Sequence, residues 1–155
     1  MKNKILLSAL IFIFVVSCGY TPILIEKDYP FKIQSIEKVG NNKINSSIVQ
    51  KLKYIKKSDD SINKIVYNLR LESKLDKKII SKDSKGDPLI FEIKATTIVT
   101  ILNDDKGKVL SQEISNKINY DNQTDKFELI KYENNLIGNL SSNLGDKILS
   151  ILSNI

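Results

Sequence analysis

The chain of 155 residues contains no histidine, a single cysteine, a single arginine and three prolines. Without histidine there is no imidazole general base and no Ser–His or Cys–His nucleophile pair. With one thiol besides, nearly every zinc or copper site is excluded. The lone Cys18 has no partner for a disulfide, so redox stapling of the fold is excluded as well. No nucleotide-binding loop, nucleic-acid signature, internal repeat or low-complexity tract is present. Adjacent carboxylates occur at Asp59-Asp60 and Asp104-Asp105, but both pairs sit in turn-like segments where Asp serves the backbone. A non-enzymatic protein without metal or cofactor is the expectation.

Long apolar runs are also missing, with one exception. Ile5 to Val16 is an almost unbroken apolar stretch of 12 residues behind the basic start Met1-Lys2-Asn3-Lys4. As a helix it would reach only about 18 Å, against the ~30 Å hydrocarbon core of a bilayer. A short basic start, a short apolar run and a small residue, Ser17, before Cys18 form the layout of a secretory signal peptide. Val15-Val16-Ser17-Cys18 further resembles a bacterial lipobox, which implies cleavage before Cys18 and a covalent diacylglycerol and N-acyl chain on that residue. Gly19, rather than Asp, resembles the signal for export to the outer membrane. Residues 1–17 are thus expected to leave, 18–30 to form a lipidated tether, and 31–155 to form one domain. The mature chain of 155 − 17 = 138 residues suits a single domain. Removing Lys2 and Lys4 lowers the basic count from 24 to 22, against 18 acidic residues, a modest excess that fits a solvated surface.

Within the domain the hydrophobic period changes twice. Phe31 to Val39 reads as a short strand whose alternation breaks at Ile36, which predicts a bulge or strand end near Ser35. Gly40-Asn41-Asn42 is a turn, and Ile44, Ile48, Leu52 and Ile55 then recur at helical spacing, predicting a helix over about 43–57. Ile65, Tyr67, Leu69, Leu71 and Leu75 alternate with polar residues, as do Phe91, Ile93, Ala95, Thr97, Val99 and Ile101. Leu110, Ile114, Ile118 and Tyr120 mark the inner face of a further strand. The turns between these three strands fall at 83–88 and 103–107. From Asp125, paired with Glu128 as a capping box, an apolar stripe runs to the C-terminus, broken only by Glu133. It predicts a helix of about 28 residues, with weak points at Gly138 or Gly145. The order β-α-β-β-β-α implies an α+β two-layer sandwich, a four-stranded, mainly antiparallel sheet covered on one face by two helices.

Cys18-Gly19-Tyr20-Thr21-Pro22 after a lipobox, this order of elements and the long last helix together resemble the lipopolysaccharide-assembly lipoprotein family, LptE. The resemblance implies an outer-membrane, periplasm-facing lipoprotein that plugs the β-barrel LptD, helps it assemble and serves lipopolysaccharide transport to the cell surface. It further implies lipopolysaccharide-contacting basic residues at one end of the sheet, where Lys77, Lys78, Lys82 and Lys85 stand in this sequence. Solvated turn lysines are the plainer reading of these four, and Asp83 and Asp87 dilute their field. A periplasm-facing ligand-binding or inhibitor lipoprotein is the competing reading.

Overall fold

The computed structural model describes residues 29–53, 64–103 and 107–155. Cys18, the signal segment and most of the tether lie outside these residues, as do Tyr54 to Lys57 and the Asp59-Asp60 and Asp104-Asp105 pairs. Strand β1 (Phe31–Gly40) leads through helix α1 (Asn42–Lys53) to β2 (Ile65–Lys82), β3 (Pro88–Asn103) and β4 (Gly107–Asp121), and helix α2 (Lys126–Ser153) closes the chain. The sheet order is β1-β2-β3-β4, with β1 parallel to β2 and the remaining neighbours antiparallel. A parallel pair cannot be joined by a tight turn, so α1 serves as its crossover. Both helices pack on one face of this mixed sheet, which makes the fold the expected α+β sandwich.

The predicted bulge is present. Ile33 pairs with Tyr67, but Ser35, not Gln34, pairs with the next residue, Asn68. One extra residue returns Ile36 to the helix-covered face, which explains its break in the alternation.

Chain reversal after β1 depends on Gly40 at φ +81°, whose neighbour Asn41 donates its N–H to the Ser73 carbonyl at 2.7 Å. Asn41 then caps α1, its Oδ1 accepting from the backbone of Lys43 and Ile44 at 3.0 and 3.1 Å. Ile44, Ile48 and Leu52 meet Leu69, Leu71, Val99 and Ile101 in the core.

Among these apolar side chains lies a polar chain. Buried Asn45 donates to the Val39 carbonyl at 2.8 Å and accepts from the Ser73 hydroxyl at 2.7 Å, and Ser73 reaches Thr97 at 2.8 Å. This network ties α1 to β1, β2 and β3 with every member satisfied, and so fixes how the crossover seats.

Helix α2 is continuous through both glycines. Its N-terminus is capped by Asp125, which accepts from Phe127 and Glu128 at 2.8 and 3.2 Å. Gly145 marks where the two helices touch, since a Cβ there would stand 3.0 Å from the Lys51 side chain. Lys51 also pairs with Asp146 across the same crossing at 3.1 Å. Gly138 has nothing within 4 Å of a would-be Cβ. Gly138→Ala is therefore expected to stabilise the domain by about 0.5–1 kcal/mol through helix propensity alone. Urea unfolding checks it, and no gain in midpoint would count against the open space.

Two apolar residues of the strand pattern are less covered than their phase implies. Ile65 is 49% exposed where it opens β2, and Ile118 is 37% exposed on edge strand β4.

Candidate functional site

The chain enters the domain beside the start of β2, where Ile65 N–H donates to the Pro30 carbonyl at 3.2 Å. From there β2 runs 18 residues, roughly 60 Å at about 3.3 Å each, to the turn at 83–87. The point where the chain enters the domain and the lysine-bearing turn therefore stand at opposite ends of the sheet.

Asp83 builds that turn. Its carboxylate accepts from the backbone of Lys85 and Asp87 at 2.9 and 2.8 Å, and its own N–H donates to the Asp87 carbonyl at 2.9 Å. Gly86 supplies the left-handed residue at φ +90°. Asp83 is thus used up in backbone bonding. Lys82 and Lys85 are exposed at the tip, with Ile79, Ile80 and Leu89 exposed just behind them. Phe127 and Ile130, in the first turns of α2, are exposed after β4 has returned to the same end.

Lys77 and Lys78 are neighbours in β2 and so project to opposite faces. Lys77 lies on the helix-covered face, with Nζ 2.5 Å from Glu133 and 4.4 Å from the centre of the Phe91 ring. Lys78 lies on the open face, 2.9 Å from Glu92, whose other carboxylate oxygen meets Lys117 at 3.2 Å. The four lysines therefore share one end of the sheet but do not converge on one point.

Glu133 explains the single interruption in the α2 stripe. It faces the sheet and accepts from the Tyr120 hydroxyl at 2.7 Å as well as from Lys77. Tyr120 stacks on Phe91 at 5.6 Å and meets the edge of Tyr132 at 6.1 Å. An acid in an otherwise apolar stripe was the signal for this cluster; its partners were not legible from periodicity.

Burial and the Glu133 carboxylate both disfavour a phenolate, so the Tyr120 hydroxyl titrates well above the ordinary tyrosine range. The folded state then holds its proton where the unfolded chain gives it up. That contribution to stability is whole below about pH 10 and shrinks above it. Tyr120→Phe is expected to flatten the alkaline limb of the stability–pH curve, measured by urea unfolding between pH 8 and pH 11; an unchanged limb would contradict the assignment. Glu92 shifts the opposite way, its carboxyl lowered by hydrogen bonds from Lys78 and then Lys117.

The open face carries a ladder of such pairs. Arg70 meets Glu72 at 3.0 Å and Glu37 at 3.9 Å, and Lys74 meets Asp76 at 2.8 Å. Among the described residues no cluster of acidic side chains is arranged to hold a metal ion, and no helix is long and apolar enough to cross a membrane.

The sequence matches no family model and no curated protein. The fold does have solved counterparts. Rare lipoprotein B from Shewanella oneidensis is similar at a TM-score of 0.58 and 12% identity, over 77% of this chain and 94% of that one. Lipoprotein B from Nitrosomonas europaea is similar at 0.60 and 20% identity, over 81% and 84%. A minor lipoprotein from Acinetobacter baumannii is similar at 0.58 and 18% identity, over 79% and 91%. The sandwich assembled here from four strands and two helices is the fold of these solved lipoproteins.

Proposed function

We propose that this protein is an outer-membrane lipoprotein, anchored through acylated Cys18 and facing the periplasm, that plugs the LptD β-barrel and assists its assembly for lipopolysaccharide transport to the cell surface. The observation that carries the reading is the likeness of its domain to solved lipoproteins over about four-fifths of the chain, in a sequence that carries a lipobox-like segment ahead of that domain.

Two features of the surface agree with a plug. The open sheet face is lined with paired charges and suits the polar lumen of an outer-membrane barrel. The tip, about 60 Å along β2 from the anchored end, offers apolar and cationic side chains where a partner or lipopolysaccharide would be met. Of the four lysines, Lys82 and Lys85 are the exposed tip residues for such contacts, Lys78 is shared with Glu92, and Lys77 mainly holds α2 to the sheet.

The competing ligand-binding or inhibitor reading called for an acyl-sized groove between the helices. The contact of Gly145 with Lys51 and Ile48 closes that space at the crossing.

Affinity capture of the tagged lipoprotein from gently solubilised membranes is expected to bring down a large β-barrel protein, and depletion is expected to leave that barrel misassembled. Recovery as a free monomer from the same membranes would sink the proposal.

A further inference from the structure

Strand β4 is the last of its sheet, and its register shows which of its backbone groups are left without a neighbouring strand. Asn122 donates its N–H to the Leu89 carbonyl at 2.8 Å, and the pairing of β3 with β4 keeps step from there to Ile101 and Leu110. In an antiparallel pair the N–H and C=O of one residue point the same way, and successive residues alternate. The even-numbered residues of this stretch therefore bond to β3, while Ser111, Glu113, Ser115, Lys117 and Asn119 direct theirs outward from the edge. An open row of this kind is a template for another strand.

Two side chains already sit on the middle of that row. Lys147, from α2, donates its ammonium to the Ser115 carbonyl at 2.8 Å. Asn116 accepts the Lys117 N–H on its own Oδ1 at 3.0 Å. Packing of α2 at this level is carried by buried Leu144, Ile148 and Leu149, whereas Lys147 itself is exposed.

The covered groups are those a second copy of the chain would use. Two β4 strands set antiparallel with Ser115 opposite Ser115 bring Glu113 opposite Lys117 of the other copy, twice over, with opposite charges on one face. Centring the pair on Glu113 or on Lys117 instead sets like charges against each other. The charge-matched register takes its central hydrogen bonds from the backbone of Ser115 and Lys117, and Lys147 and Asn116 occupy one group of each. An incoming N–H at Ser115 would meet a positive charge in place of a free acceptor.

We propose that Lys147 and Asn116 guard the β4 edge against pairing with a second copy of this chain, and that the edge is self-complementary once they are removed. Nothing in this arrangement depends on a barrel partner.

The test uses the full mature chain from residue 18 with Cys18→Ser, hence without acyl chains, in sedimentation velocity over a range of concentrations and in amide hydrogen exchange. Lys147→Met combined with Asn116→Val is expected to self-associate about tenfold more tightly than the parent, with the Glu113 and Ser115 amides gaining protection as concentration rises. Lys147→Met alone, a change at an exposed position, is expected to move the same way by a smaller factor and to keep the parent's urea midpoint. Lys147→Arg, which retains a donor for the Ser115 carbonyl, is expected to associate no more tightly than the parent. Adding Glu113→Lys to the double variant is expected to return it to the parent's behaviour, because lysine then faces lysine across the pair. Self-association of Lys147→Met and the double variant no tighter than the parent's, protection gained away from β4, or association unchanged by Glu113→Lys would each overturn the proposal.

Discussion

Gly40→Ala is expected to destabilise the domain by about 3 kcal/mol or more, read as a large drop in the urea midpoint. Two costs act together at this residue. Its φ of +81° strains any side chain, and a Cβ would stand 2.2 Å from the Ser73 carbonyl oxygen, inside the contact distance of any two atoms. Because the obstacle is backbone, truncating the Ser73 side chain is not expected to rescue the variant. Nor is the strand free to retreat. Asn41 N–H is bonded to that same carbonyl at 2.7 Å, and Asn45 holds the Val39 carbonyl at 2.8 Å. Moving β1 away would leave buried polar groups unpaired, at about 1–3 kcal/mol each. A variant with near-parental stability would show that the end of β1 is not seated as described.

The second large effect concerns the anchor. On the lipobox reading, the mature protein begins at Cys18 with several acyl chains, each CH₂ adding about 0.8 kcal/mol of membrane attachment. Cys18→Ser is expected to abolish incorporation of labelled palmitate completely, and mass spectrometry of the parent protein is expected to find an acylated Cys18 as its first residue. Ser17 and Gly19 are left in place by this substitution, so the loss would be assigned to the thiol alone. A parent chain that starts elsewhere with a bare thiol would remove the basis for both the membrane location and the proposed barrel partner.

The two positions differ in how they could be read in advance. The lipobox reading of Cys18 rests on a local signal, four consecutive residues that need no tertiary partner. Gly40 was legible only as a turn residue. That it must be glycine follows from the approach of Ser73, a residue 33 positions later. The same contrast runs through the domain. The bulge near Ser35 was signalled by a broken alternation, and Glu133 stood out as the one acid in the α2 stripe, yet neither pattern named a partner. Lys77 and Lys78 read alike as adjacent turn-side lysines. Pleating separates them onto opposite faces, where Glu133 engages one and Glu92 the other.

Apolar periodicity by itself determined the number, type and order of the elements and the layer each would join, because burying one face of a strand or one stripe of a helix is a local demand on residue spacing. Only the tertiary structure decided the parallel placement of β1 against β2 and the seating of α1 through Asn45, Ser73 and Thr97. These arise where residues distant in sequence meet, and their hydrogen bonds and excluded volumes depend on geometry that no run of neighbouring residues encodes.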